Sequence, residues 1–190
     1  MNTPLTTNRR RSRRSGHVIL EMALGFMPFC ALIFGIADFS MVLFINSTFQ
    51  NAVREGVRYG ITYSVDFNGT TYASQTAAIR AVVEYNSAGW LTSATTGPNS
   101  GPTYIKVNYY TPDNLSSPAT TAQLPKTVNG VVITNLNQSG NVLEVKIQGF
   151  SWNWMVPLPN YMPGTGLSLT ASSLDVMQGL PVGVATPPSP

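Results

Sequence analysis

The chain has 190 residues, 43% of them hydrophobic, with 16 Gly and 14 Pro, so it carries enough apolar surface to bury and an all-disordered reading is excluded. Charge is scarce, 11 basic and 8 acidic residues, and five of the cations are Arg9, Arg10, Arg11, Arg13 and Arg14. The remainder is slightly acidic, which excludes a basic nucleic-acid face on a folded domain, and the single Cys30 excludes an internal disulfide or a cysteine-based zinc cage.

Residues 1–16 read as a basic cytoplasmic leader without a fold. From Val18 to Phe49 the only charges are Glu21 and Asp38. Met22 to Ala37 spans roughly 24 Å as a helix, short of the roughly 30 Å hydrocarbon core, whereas continuing to Ile45 gives roughly 36 Å. Asp38 then falls inside the span or at its outer rim, where it is either solvated by headgroups or paired with a cation on another transmembrane helix. Pro28 removes a helical donor and predicts a kink. Gly25 and Gly35 permit close helix contact, and Ala31 to Gly35 and Gly56 to Gly60 have the small-xxx-small spacing that seats a neighbouring helix. Arginines are denser before the span than after it, where Arg54 and Arg58 follow, so the N-terminus is placed in the cytoplasm and everything past about Phe49 across the membrane.

The helix continues beyond the lipid, because Phe49, Ala52, Val53, Gly56, Val57 and Gly60 recur at spacings of three and four, with Gln50, Arg54, Glu55 and Arg58 on the other face. Glu55 and Arg58 read as a solvated pair. The transmembrane and amphipathic helix thus covers residues 17–61. Residues 62–180 read as an extracytoplasmic domain, and Asn68-Gly69 marks a connection into it. Ala73 to Tyr85 predicts a second helix with Ala78, Ala81, Val82 and Tyr85 on its inner face, Thr71 or Ser74 as cap and Gly89 past its end. Tyr104 to Tyr110 predicts a strand. Val131 to Leu136 and Val142 to Phe150 predict a hairpin around Asn137 to Gly140, and Leu167 to Met177 a last strand with a bulge near Ser172. Residues 181–190 read as a loose, Pro-rich tail. The fold class is α+β: a long N-terminal transmembrane and amphipathic helix packed on a small domain with an antiparallel sheet.

The residues leave little room for an enzyme. His17 is the only histidine and lies far in sequence from the folded domain, so a Ser-His-acid or Cys-His arrangement lacks its base. Asp66, Glu84, Asp113, Glu144 and Asp175 are scattered, giving neither a metal site nor a paired-carboxylate pattern. Gly164-Thr165-Gly166 has no lysine and no following helix, so it is not a phosphate loop. No cofactor is expected. Trp152, Trp154 and Tyr161 read either as core or as a docking patch.

Chemistry concentrates where leader meets span. Gly16 is followed by His17, Val18, Ile19 and Leu20 and then by Glu21, with arginines behind and an apolar helix ahead. This arrangement resembles the processing site of type IV prepilins, in which a membrane aspartyl peptidase cuts after the glycine and the acid falls at mature position five. The resemblance implies a mature chain that begins at His17. Glycine lets an extended backbone enter a cleft, and the arginines hold the bond at the anionic inner face of the membrane. Glu21 is costly to bury unpaired. The amino group released on His17, of the same or a neighbouring subunit, supplies its opposite charge.

Read from Gly16 to Gly60, the stretch resembles the TadE-like family, pseudopilins of tight-adherence or Flp-type pilus machinery. The matching parts are Glu21 with Ala23-Leu24, Pro28, Gly35-Ile36-Ala37-Asp38-Phe39, and Gln50-Asn51-Ala52-Val53-Arg54-Glu55-Gly56-Val57-Arg58. Met22 stands where an aromatic residue is often found. The resemblance implies a minor structural or assembly component with a prepilin peptidase, other pseudopilins or pilins, the membrane assembly platform and the lipid bilayer as partners, and no nucleic acid. It places the chain in the bacterial inner membrane. The alternative is an uncleaved, signal-anchored extracytoplasmic binding domain.

Overall fold

The computed structural model describes residues 12–154, 166–180 and 186–190, with backbone alone over 12–16. Arg9, Arg10, Arg11, Tyr161, Gly164, Thr165 and the first half of the tail lie outside the described residues, as do the side chains of Arg13 and Arg14. The element order is α1 (Ser12–Gly60), β1 (Asp66–Phe67), β2 (Thr70–Thr71), α2 (Gln75–Asn86), α3 (Gly101–Tyr104), β3 (Ile105–Tyr110), β4 (Lys126–Val128), β5 (Val131–Ile133), β6 (Val142–Trp152) and β7 (Leu167–Val176), with a 3-10 turn at Thr121–Gln123. This is the expected α+β arrangement, a long apolar helix followed by a small domain with an antiparallel sheet.

The chain divides into two compact units, one holding the helix up to Met41 and the other formed by Val42–Asn153 with Gly164–Pro190. In the second unit the last part of α1 buries Val42, Ile45, Phe49, Ala52, Val53 and Val57, the 3.6-period stripe that the sequence predicts. Gln50, Arg54 and Arg58 stay exposed on the opposite face. The ion pair found among the described residues joins Lys126 to Asp113, so Glu55 and Arg58 do not pair: half-buried Glu55 and exposed Arg58 would gain little from being held together at the surface. Gly56 and Gly60 lie where α1 meets α2 and β6. A methyl group on Gly56 would stand 2.5 Å from Val83 Cγ2 and 3.4 Å from Val145 Cγ1, and one on Gly60 would press on Leu143 and stand 2.9 Å from Ile79 Cδ1. Phe49 packs edge-on against Phe150 at 5.0 Å, a contact that adds about 1 kcal/mol to its burial.

The α2 helix begins at Ser74, whose side chain accepts the Ala77 amide at 3.2 Å, and ends in the left-handed residues Ala88 and Gly89. Its buried face is Gln75, Ala78, Ile79, Val82 and Val83. The predicted inner residue Tyr85 is 70% exposed. The face is turned because Ile79 and Val83 reach the glycine seats of α1, leaving Tyr85 to pack edge-on against Phe67 at 5.6 Å.

The main sheet runs β3-β6-β7, all antiparallel. Its inner face carries Ile105, Tyr109, Leu143, Val145, Ile147, Phe150, Leu169 and Ala171, all buried. The expected hairpin of Val131 to Leu136 with Val142 to Phe150 does not form. Val131–Ile133 instead folds back on Lys126–Val128 through Asn129-Gly130, both at positive φ, the turn chemistry that favours a two-residue hairpin. Asn137 to Asn141 is held as a loop by its own side chains: Gln138 accepts the Thr134 amide at 2.7 Å and donates to the Val132 carbonyl at 3.0 Å, and Asn141 donates to the Leu136 carbonyl at 2.8 Å. The bulge also moves. It falls on β6 between Ile147 and Phe150, where Gly149 has φ 83°, and not at Ser172, because a left-handed glycine takes the extra residue without strain. Asn68-Gly69, read as a connection, is the turn of the β1-β2 hairpin.

Residues 186–190 are pinned, in contrast to the expected loose tail. The Ser189 carbonyl accepts the Gln75 amide at 2.8 Å, and the Pro188 carbonyl accepts from Asn137 at 2.7 Å. Asn137 also donates to Gln75 Oε1 at 2.6 Å, and Gln75 donates to the Gly60 carbonyl at 2.5 Å. One buried amide network therefore ties the end of α1, the start of α2 and the tail together.

Glu84 sits against Gly101, where an added methyl would stand 2.8 Å from its carboxyl carbon. Burial raises its pKa above the ordinary carboxylate range, with Arg80 opposing the shift. The folded state therefore binds the proton more tightly than the unfolded state, and the associated stability is present at low pH and lost as pH rises through the raised value. Against Glu84→Gln, the melting temperature of the parent chain should fall over the window from the ordinary carboxylate pKa up to the raised one. Parallel melting curves of the two chains across that window would refute the burial effect.

The candidate assembly helix and its processing segment

The inner part of α1 presents apolar side chains on every side. Val18, Ile19, Leu20, Met22, Leu24, Phe26, Met27, Phe29, Leu32 and Phe34 are all more than half exposed. Water does not tolerate such a continuous surface, and an α-helix that bonds its own backbone is the element that hydrocarbon accepts. Among the described residues this is the one helix long and apolar enough to cross a membrane, His17–Gly60. The hydroxyls of Ser40 and Thr48 are satisfied locally, each donating at 2.8 Å to the carbonyl one turn back, at Ile36 and Phe44. Pro28 lies within the continuous helix.

Glu21 is exposed on this surface and stands four residues beyond exposed His17, one turn or about 6 Å along the axis. Positions four apart share a face. An amino group freed on His17 therefore lies within reach of Glu21, in the same chain or in a helix set beside it. The helix also begins earlier than expected. Its backbone is helical from Ser12 through Gly16, so the last leader residues are not without a fold, and Gly16, with a helix propensity about 1 kcal/mol below alanine, is the weak point in that turn.

The other predicted association residues separate into three kinds. Asp38 is 1% exposed and has a polar interaction within the chain. Gly56 and Gly60 seat Val83, Ile79 and Leu143 of the same chain; their small size is used for packing inside the domain. Ala31 and Gly35 remain exposed, with open space beside Gly35. Trp152 packs edge-on with Trp90 at 5.7 Å, which favours the packing reading for that residue.

Two groupings are not legible in the sequence. The Gln75-Asn137 network joins residues 62 positions apart, and Lys106 and Lys146 face each other across β3 and β6. Alternation places each lysine on the solvent side of its strand, but only the register brings them together.

A family model described as TadE-like protein matches residues 16–58, which coincides with the apolar helix from the proposed cut to the end of its amphipathic part. Neither a curated protein nor a solved structure gives a significant match to the chain.

Proposed function

We propose that the chain is a minor pseudopilin, a structural or assembly component of a Tad/Flp-type pilus or related secretion machine, matured by a prepilin peptidase. The coincidence of the TadE-like match over residues 16–58 with one continuous helix, apolar and exposed in its first half, carries this reading. In it, α1 sits in the bacterial inner membrane with the leader arginines inside and the sheet domain outside. The peptidase removes residues 1–16, and the His17 amino group neutralises Glu21 as helices assemble side by side. Ala31 and Gly35 supply a close-packing stripe for other pseudopilins, pilins or the platform.

This function makes a direct demand on the host. Deleting the chain should strongly reduce surface pili, and supplying the full chain in trans should restore them. Normal piliation in the deletion strain would overturn the proposal.

A further inference from the structure

The outer face of the main sheet carries an uncompensated charge beside an open edge. Lys106, Lys146 and Ser172 lie in one cross-strand row, Asn108, Glu144 and Leu174 in the next, and Tyr110, Val142 and Val176 in the third. Like charges directly opposite one another destabilise a sheet. Neither lysine has an acidic partner within ion-pair distance among the described residues. The nearby Glu144 carboxylate accepts from Asn108 at 2.9 Å and from the Tyr110 hydroxyl at 2.7 Å, which directs it away from them. In a chain so poor in charge, two facing lysines are a costly arrangement unless something anionic meets them.

Among the described residues strand β7 is one of the two edges of this sheet, β3 being the other. The Met177 amide donates inward to the Asn141 carbonyl at 2.7 Å, so the alternate amides of Val176, Leu174 and Ser172 point away from β6. The Val176 amide is occupied by Asp175 Oδ1 at 2.7 Å, leaving Ser172 and Leu174 to present open backbone among the described residues. Exposed edges are normally blunted by charge or proline, yet here Leu174 is 58% and Val176 51% exposed.

We propose that the β7 edge is a docking surface for an extended acidic segment of another protein chain, which adds to the sheet as a fourth strand. The small Ser172 separates Lys146 from the edge by one strand spacing, so a glutamate opposite Ser172 reaches over it to Lys146 and its neighbour Lys106. The next two same-face residues of the incoming strand lie beside Leu174 and Val176 and are apolar. Asp175 guards the far end and fixes where pairing stops. The partner thus reads acid, then apolar, then apolar at every second position, with backbone bonds giving affinity and the lysines giving register. This inference does not depend on cleavage at Gly16 or on Glu21.

The test uses the full chain in detergent micelles and a short synthetic peptide in which one glutamate and two valines alternate with threonines. Binding followed by fluorescence anisotropy should weaken about tenfold for the Lys106→Gln, Lys146→Gln double variant. A peptide with lysine in place of glutamate should prefer the Lys106→Glu, Lys146→Glu chain. N-methylation of the peptide along its pairing edge, which leaves the protein untouched, should abolish binding. Binding that survives N-methylation, lysine-dependent binding to phosphatidylglycerol vesicles with none to the peptide, or self-association of the chain through β7 in place of peptide capture would each overturn the proposal.

Discussion

Gly60→Val should destabilise the sheet domain by about 2–4 kcal/mol, because it forces a branched side chain into a seat already filled by Leu143 and Ile79. Both neighbours are fully buried, so neither can swing into solvent, and the small gain in helix propensity over glycine does not offset the overlap. Gly56→Val should behave alike, since Val83 is itself branched and stiff about its first side-chain torsion. Gly35→Val is the control: open space surrounds Gly35, and its replacement should leave the domain unchanged. Denaturant unfolding of the full chain in micelles, followed by tryptophan fluorescence from the Trp90-Trp152 pair, reads the difference. Equal midpoints for the Gly60 and Gly35 variants would show that α1 is not seated on α2 and β6 as described.

Glu21→Ala should leave membrane insertion intact and reduce helix association by more than tenfold. Removing one partner of a pair held in a low-dielectric setting leaves the other charge uncompensated, which costs about 3–5 kcal/mol. Even a fraction of that exceeds a tenfold change. Insertion itself becomes easier, since the carboxylate is the group that a bilayer most resists in this segment. Cys30, the only cysteine and part-exposed on the inner helix, offers a reporter for thiol crosslinking between neighbouring helices. Crosslinking equal to that of the parent chain would remove Glu21 from assembly.

The helix was legible because both of its halves carry strong signals. The apolar run from Val18 and the three-four spacing of Phe49, Ala52, Val53 and Val57 each specify a helix without any long-range information, and Ser74 marks the start of α2 as a cap should. The sheet was legible as strands but not as pairs. Alternation in Leu143, Val145 and Ile147 identifies β6, yet nothing local says that β5 turns back through Asn129-Gly130 onto β4, leaving β6 between β3 and β7. The same limit applies to the glycines. Small-xxx-small spacing reports that a close approach occurs, not which element makes it, and at Gly56 and Gly60 the partners are Val83, Ile79 and Leu143 of the same chain.

In the proposed function, hydrolysis after Gly16 turns a membrane-anchored precursor into an assembly unit by placing an ammonium group one turn from Glu21. Intact-mass measurement of the chain extracted from the membranes of its native host tests this most directly. The expected result is a polypeptide that begins at His17, and accumulation of the longer form when Gly16 is replaced by a bulky residue. A chain that retains Met1 through Gly16 in cells that are assembling pili would contradict it.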